Sequence, residues 1–110
     1  MSPIARGDVW WVSLDPTQGA EIQKTRPCLV LTDDTLNRLR RTVVVVPYST
    51  AAKVHPPITV AVTCEGQSAA AIIDQVRAVD KARLRGRIET APIAELARVE
   101  DALATILRLA

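Results

Sequence analysis

The sequence has few of the residues on which several common functional sites depend. It contains no phenylalanine, and its aromatic residues are Trp10, Trp11 and Tyr48. A sheet that stacks many bases, as in the common single-strand-binding modules, needs more aromatic side chains than these. Three aromatic residues therefore argue against such a module.

Metal-binding residues are equally scarce. The chain has one histidine, His55, and two cysteines, Cys28 and Cys64, which are far apart and form no CxxC motif. This pattern does not make a zinc site, and we expect no metal and no other cofactor. Both cysteines are expected to be buried free thiols rather than a disulfide.

Long apolar segments are also absent. No run approaches the length of a membrane span, and residues 1–6 lack the apolar core of a secretory signal. We therefore expect a cytoplasmic protein that does not contact a membrane. A length of 110 residues predicts one domain, residues 1–110, with a single modest core.

Positive charge is present mainly as arginine. The net charge is only +2, but eleven of the 14 cationic residues are arginine, whose planar guanidinium suits phosphate recognition. Two groups stand out, Arg38, Arg40 and Arg41, and then Lys81, Arg83, Arg85 and Arg87. Either group alone could equally be a solvated surface.

Apolar and β-branched residues predict a mainly β (α+β) fold. Strands are expected at residues 9–14, 27–31, 42–46, 58–62 and 69–76. In the first strand, one of the two tryptophans should be in the core and the other on a partly covered face. Four consecutive valines, 43–46, indicate a strand buried on both faces, or on one face and at an interface. Short strands of this kind favour a small, strongly bent sheet or barrel.

Two helices are predicted. Thr32, Asp33 and Asp34 can cap a short helix that would turn Leu36 and Leu39 inward. Pro92 falls in the first turn of a second helix, which extends to about Leu109 with apolar residues at helical spacing. This helix is expected to pack on the core.

Arg26 is the leading candidate for a functional residue. It precedes Pro27, which lacks an N–H and belongs at the first residue of a strand or on an edge. A polar loop, residues 15–24, comes before it. Five fixed donors at a strand entrance can face a groove, so the arrangement suits anion binding. A strand-capping arginine paired with a surface acid is the other interpretation.

An ordered set of motifs resembles the MazF/PemK/Kid family of toxin endoribonucleases. The motifs are Arg6-Gly7-Asp8-Val9-Trp10, Leu14-Asp15-Pro16, the loop 19–27, Leu29-Val30-Leu31, Val46-Pro47-Tyr48-Ser49-Thr50 and residues 74–80. The resemblance implies a small SH3-like β-barrel with short helices and a C-terminal α-helix, acting as a homodimer. It also implies metal-independent cleavage of single-stranded RNA at short sequences, leaving a 2′,3′-cyclic phosphate and a 5′-hydroxyl. A cognate antitoxin would neutralise the toxin, and operator DNA would be reached only through that antitoxin.

The resemblance also implies site residues. Those matching proposed catalytic positions are Arg26, Ser49 and Asp74. Those expected to contact the RNA are Glu21, Gln23, Lys24, Thr50, Gln75 and Arg77. Ala20 and Ile72 stand where the Kid branch carries a histidine and an arginine, so the pairing of Arg26 with Ser49 typical of the MazF branch fits better.

The chemistry limits the roles of these residues. Attack by a 2′-hydroxyl needs a base, a proton donor and stabilisation of an anionic phosphorane. A single histidine excludes a two-histidine mechanism. Arginine is a poor base, so Arg26 is assigned mainly to the phosphorane oxygens, with Ser49 as a hydrogen-bond donor. The base could be Asp74 or Glu21, and Asp74 could instead pair with Arg77 to hold a turn.

Two functions without catalysis stay open. Toxins of the same fold bind DNA gyrase, but they need a tryptophan near the C-terminus, and this chain ends Ile106-Leu107-Arg108-Leu109-Ala110. A degenerate member that binds RNA or an antitoxin without cleaving is the other alternative.

Overall fold

The computed structural model describes residues 3–16, 18–21 and 24–109, and these form a curled sheet with two helices. The strands are β1 (Asp8–Ser13), β2 (Thr25–Val30), β3 (Thr42–Ser49), β4 (Thr59–Cys64), β5 (Gln67–Ile72), β6 (Arg77–Asp80) and β7 (Leu84–Thr90). The helices are α1 (Asp34–Leu39) and α2 (Ile93–Leu107), with single 3₁₀ turns at Ile73–Gln75 and Lys81–Arg83. The predicted mainly β fold with a C-terminal helix is confirmed.

β3 is the central strand. The sheet order is β4-β5-β3-β2-β1-β7, and β6 pairs with β3 next to β5. β6 pairs with the first half of β3 and β5 with its last two residues, so the two lie end to end along one edge. The register on β3 shifts by three residues between them, which is the length of the turn Ile73–Gln75. The strand predicted at 69–76 therefore ends at Ile72, where the 3₁₀ turn begins, and the separate strand β6 that follows was not predicted.

Both faces of the sheet are covered, which explains the unbroken valine run. One core cluster contains Val9, Leu29 and Val46 and packs against Val99 and Ala102 of α2. The other cluster draws on β1, β2, β3, β6 and β7, so the curled sheet encloses it: Ile4, Trp10, Val12, Leu14, Cys28, Val30, Val43, Val45, Val79 and Leu84. Val43 and Val45 belong to the enclosed cluster and Val46 to the other, while Val44 is half-buried and belongs to neither. The sequence had left open burial on both faces or at an interface, and three of the four valines are buried within the chain, on the two faces of β3.

Helix α1 is oriented differently from the prediction. Asp33 caps it as expected, because its carboxylate accepts from the Thr35 N–H at 2.9 Å. Leu36 and Leu39 are 47% and 76% exposed, whereas Asn37 is buried and donates from its amide to the Thr32 carbonyl at 2.7 Å. The inward face of this six-residue helix is therefore anchored by a polar side chain, and the expectation of inward leucines was wrong.

Helix α2 is fixed to the sheet by polar contacts as well as by its apolar face. The buried Glu95 carboxylate accepts from the backbone N–H and the hydroxyl of Thr63, both at 2.8 Å. Glu100 pairs with Arg6 at 2.6 Å. Val99 is fully buried as predicted, but Ile93 is exposed because it lies in the first turn, beyond the edge of the sheet contact. No helix in the described part of the chain is long and apolar enough to cross a membrane.

Candidate active site

A cleft of about 460 Å³ lies at the end of β3. We call it the strand-end cleft. It is lined by Trp11, Thr25, Arg26, Pro27, Tyr48, Ser49, Thr50, Cys64, Glu65, Gln67 and Ala69. Three of the predicted site residues, Arg26, Ser49 and Thr50, are thus brought together, although Arg26 lies more than twenty positions before the other two in the sequence.

Strand register explains why Arg26 and Ser49 meet. β2 and β3 are antiparallel, with Cys28 opposite Pro47. Extending this register by two residues sets Arg26 across from Ser49. On its other side, Arg26 pairs with Val12 of β1. A half-buried guanidinium and a hydroxyl therefore occupy facing positions where the ladder opens.

The Ser49 hydroxyl is held in a defined orientation. Its oxygen accepts from the backbone N–H groups of Ala51 at 3.2 Å and Ala52 at 3.3 Å. No other described residue accepts its proton, so the O–H can donate to an incoming oxygen. The arrangement suits a donor to a phosphoryl group, because accepting two N–H bonds fixes the oxygen and leaves the hydrogen available.

The thiol beneath the cleft is a neutral group. Cys28 is fully buried, and burial raises the pKa of its thiol to about 12, against the opposing positive charges of Arg77 and Arg26. Both guanidinium groups therefore act on the same thiol from the same side of the sheet. The arginine predicted as catalytic and the arginine predicted as an RNA contact are thereby neighbours.

The other titratable side chains in the core of the cleft are also neutral. Burial and the nearby Glu95 carboxylate raise the pKa of the Tyr48 hydroxyl. Burial, Glu89 and Glu65 raise the pKa of the Cys64 thiol. Both cysteines are buried and free, as predicted. Neither thiol is poised to act as a nucleophile at neutral pH.

Glu21 and Arg77 lie in a second, smaller depression of about 180 Å³, which we call the side depression. Arg77 donates to the Gln75 side-chain oxygen at 3.1 Å and to its carbonyl at 3.4 Å. The predicted alternative that Asp74 pairs with Arg77 was wrong, since Arg77 bonds Gln75 and no described ion pair joins the two. Glu21 accepts from the Gln18 N–H at 2.7 Å and so shapes its own loop.

The remaining predicted residues are more scattered. Asp74 is exposed on the 3₁₀ turn Ile73–Gln75 and lines neither depression. Lys24 closes the loop through its backbone, donating to the Asp15 carboxylate at 3.0 Å and accepting from the Leu14 N–H at 2.9 Å. Gln23 lies outside the described residues. The described residues include no group of three His, Cys, Asp or Glu that could hold a metal ion.

The loop before Arg26 is fixed at its base by a residue that sequence reasoning did not select. Arg83, in the turn Lys81–Arg83, donates to the Ser13 carbonyl at 3.2 Å and to the Asp15 carbonyl. It joins the end of β1 to the β6–β7 connection. The contact positions the first loop residues beside the side depression, which Arg83 also lines.

Trp11, Glu65 and Gln67 line the strand-end cleft but were not predicted as site residues. One of the two tryptophans was expected on a partly covered face, and that residue is Trp11. Glu65 and Gln67 lie where β4 turns into β5. No sequence signal links that hairpin to Arg26, because the link arises when β5 pairs with the end of β3.

A third depression, the basic groove, lies at the start of β3. It measures about 390 Å³ and is lined by Arg38, Leu39, Arg40, Arg41, Asp80 and Lys81. Here Lys81, the first residue of the second cationic group, meets the three arginines of the first group, because Thr42 pairs with Asp80. None of the four cations forms an ion pair with another described residue.

Comparison with known proteins identifies the fold and the family. Residues 5–107 match the family described as PemK-like, MazF-like toxin of type II toxin-antitoxin system. Endoribonuclease PemK of Escherichia coli is 39% identical, covering 96% of this chain and 84% of the relative. Endoribonuclease MazF9 of Mycobacterium tuberculosis is 37% identical, covering 91% of this chain and 92% of the relative.

Solved structures agree with this assignment. The crystal structure of MazF from Deinococcus radiodurans superposes with a TM-score of 0.88 at 26% identity, covering 98% of this chain and 99% of that one. An endoribonuclease from Mycobacterial species, in complex with its cognate antitoxin, has the same fold, with a TM-score of 0.81 at 23% identity over 97% of both chains. The chain therefore belongs to the PemK-like and MazF-like toxins of type II toxin–antitoxin systems and is an endoribonuclease.

Proposed function

We propose that this toxin cleaves single-stranded RNA at short specific sequences, without a metal ion, by attack of a 2′-hydroxyl on the adjacent phosphate. The 2′-oxygen bonds to phosphorus, the bond to the 5′-oxygen breaks, and one proton leaves the nucleophile while another reaches the leaving oxygen. The products are a 2′,3′-cyclic phosphate and a 5′-hydroxyl. The observation that carries the proposal is that Arg26 and Ser49 line the same strand-end cleft.

Each of these residues has a role that matches its geometry. Arg26 is placed to bind the phosphorane oxygens through its fork of N–H donors, which gains strength as negative charge develops there. Ser49 offers its O–H to the same oxygens, with its own oxygen already fixed by two backbone N–H groups. Thr50, in the same cleft, supplies a second hydroxyl for RNA contact.

The base that removes the proton of the 2′-hydroxyl has three candidates. Glu21 lies in the side depression and Asp74 on an exposed turn, so neither carboxylate lines the strand-end cleft, whereas Glu65 does. Comparing Glu21→Gln, Asp74→Asn and Glu65→Gln in single-turnover cleavage identifies the base. The variant that lacks the essential carboxylate should cleave more slowly at every pH, and the other two variants should keep the wild-type pH profile.

The whole mechanism can be tested with one RNA. Purified toxin is incubated with a mixed RNA in excess EDTA, and the new ends are mapped with and without polynucleotide kinase treatment. We expect cleavage at one short sequence, with 5′-hydroxyl ends that need phosphorylation before ligation. A 2′-deoxy substitution at the scissile nucleotide should abolish cleavage. Activity that disappears in EDTA and returns with a divalent ion would refute the mechanism.

We further propose a homodimer and a cognate antitoxin as partners. Apolar side chains that a second copy could cover stand exposed on α1 and before β4, namely Leu36, Leu39, Val54 and Ile58. An acidic antitoxin segment fits the cationic surfaces and would compete with RNA in the cytoplasm, and operator DNA would be reached only through it. Sedimentation at micromolar concentration and cleavage with bound antitoxin test these two points, since a monomer or an active complex contradicts them.

A further inference from the structure

The two adjacent tryptophans of β1 have opposite environments. Trp10 is 4% exposed, and its indole N–H donates to the Asp8 carboxylate at 3.2 Å. Trp11 is 38% exposed, because successive side chains of a strand point to opposite faces. Its indole N–H has no partner among the described residues. Trp10 therefore has a structural role, while much of the Trp11 ring remains available for contact.

The neighbours of Trp11 leave its ring open. Across the two adjacent strands it pairs with Pro27 of β2 and Gly86 of β7. Proline carries a small ring, and glycine carries no side chain at all. A Cβ atom added at Gly86 would meet no heavy atom within 4 Å, so the space beside the indole is empty. A larger residue at either position would cover the ring.

The open ring lies next to the proposed reacting groups. Trp11 and Arg26 line the same cleft. Arg26 pairs with Val12, the residue after Trp11, so the two side chains leave the ladder on opposite faces and both reach the cleft at the strand ends. Gln67 also lines this cleft, and its side-chain amide has no partner among the described residues. An aromatic face and a free amide thus stand beside the position at which a phosphate would bind.

We propose that Trp11 is the stacking platform for the RNA base next to the scissile phosphate, with Gln67 hydrogen-bonding the edge of that base. The inference rests on the proposed function, because it takes RNA as the ligand. Indole faces stack on any base, whereas an amide with both donor and acceptor atoms distinguishes one base edge from another. The pair therefore provides binding energy at one residue and sequence preference at the other.

The test is a coupling measurement between protein and RNA. Binding is measured with an RNA that carries a 2′-deoxy group at the scissile nucleotide, and with versions abasic at one position each. Trp11→Ala should weaken binding of the intact RNA roughly 10- to 100-fold. One abasic RNA should bind the wild-type protein more weakly by about the same factor. Its affinity should not fall further when Trp11→Ala replaces the wild type. Equal losses by Trp11→Ala on every abasic RNA would overturn the proposal.

Control variants separate stacking from stability. Trp11→Phe keeps an aromatic face and should restore most of the affinity. Ile93→Ala removes an exposed apolar side chain outside the cleft and should change nothing. RNA should quench tryptophan emission in the wild type but not in Trp11→Phe, where only the buried Trp10 remains. Quenching that persists in Trp11→Phe contradicts the proposal, whether or not Trp11→Ala folds.

Gln67 has its own measurement. RNAs that differ only in the base at the coupled position are compared in wild type and Gln67→Ala, and the variant should bind the four bases with similar affinity. An unchanged preference overturns the role of Gln67. If the wild type binds and cleaves RNA and Trp11→Ala has the same RNA affinity as the wild type, only the proposed base subsite is wrong. If the wild type does not bind RNA, the proposed function fails with it.

Discussion

The two ends of β3 carry two different cationic sites. At its start, the basic groove gathers Arg38, Arg40, Arg41 and Lys81. At its end, about 23 Å away at 3.3 Å per residue, the strand-end cleft has one arginine, Arg26, beside hydroxyls, an amide and an exposed indole. The site with more positive charge has fewer groups that could take part in a reaction.

This difference separates binding from chemistry. Several unpaired cations attract a polyanion but do not distinguish a phosphate from its transition state, so they contribute similarly to both. A guanidinium facing an oriented hydroxyl can follow the charge that develops on a phosphorane. We therefore propose that the basic groove binds RNA and that the groups which strand register brings together in the strand-end cleft cleave it.

Changing Arg26 should have the largest effect. Arg26→Ala is expected to lower transition-state stabilisation by about 3–4 kcal/mol, a hundred- to a thousandfold in rate, by analogy with loss of an oxyanion donor. Arg26→Lys keeps the charge without the fork and should recover only part of the rate. Single-turnover cleavage is measured beside binding of a 2′-deoxy analogue, whose affinity should fall much less.

The outcome decides between the two kinds of site. Cleavage at near wild-type rate by Arg26→Ala would remove it from the reaction. Equal loss of binding and cleavage would make Arg26 a docking residue like those of the basic groove. The catalytic group would then have to be sought at Ser49, Glu21 or Asp74.

Ser49 should have the next largest effect. Ser49→Ala removes one neutral donor, and we expect a rate loss of about 10- to 100-fold, smaller than for the charged Arg26. Ser49→Thr keeps the hydroxyl and should retain activity. In the alanine variant the N–H groups of Ala51 and Ala52 lose their acceptor. Thermal unfolding shows whether this loss lowers the stability of the protein. If Ser49→Ala is fully active, Thr50 is the donor to test.

Sequence reasoning could predict the elements whose own residues determine them. The valines of β3 and the helical spacing of α2 were sufficient to predict these two elements. The order of the motifs selected Arg26 and Ser49 as candidate site residues. Strand β7 was missed although Arg85, Arg87 and Glu89 alternate with Leu84 and Ile88. The glycine in its interior, Gly86, lowers strand propensity. The interior of α1 was misread because Asn37 rather than leucine fills the inward position.

The rest of the site depends on contacts that no local pattern encodes. Trp11 and Gln67 share a cleft only because β5 pairs with the end of β3 and β1 pairs with β2. Glu21 and Arg77 meet in the side depression because the β5–β6 turn returns the chain beside the first loop. Long-range strand pairing therefore decided which of the predicted residues lie together.

The free energy of unfolding should depend on pH through the buried Cys28 thiol beneath the strand-end cleft. Burial raises the pKa of Cys28 from 9.0 to about 12, so its thiol stays neutral in the folded protein while the unfolded chain ionises above pH 9. The contribution is fully present below pH 9 and is lost as pH rises through the folded pKa. At pH 10 the free energy of unfolding should fall by about 1 kcal/mol on this account. Cys28→Ala should reduce the slope of urea stability against pH, and an unchanged slope would contradict the assignment.

Removing charge from the basic groove should have the smallest effect, and the most informative for the comparison. Arg41→Gln removes one exposed cation, and RNA affinity should fall roughly two- to fivefold at moderate salt with no change in single-turnover rate at saturation. The slope of log affinity against log salt should become shallower by about 0.7.

RNA length shows whether the two ends of β3 bind the same molecule. A strand long enough to reach both the strand-end cleft and the basic groove should lose affinity in Arg41→Gln, whereas an oligonucleotide that fills only the cleft should not. Arg108→Gln, a matched change at an exposed arginine outside the groove, should leave both affinities and the salt slope unchanged. If Arg41→Gln lowers the saturated cleavage rate as well, the groove takes part in catalysis, and the division between a binding end and a reacting end of β3 is wrong.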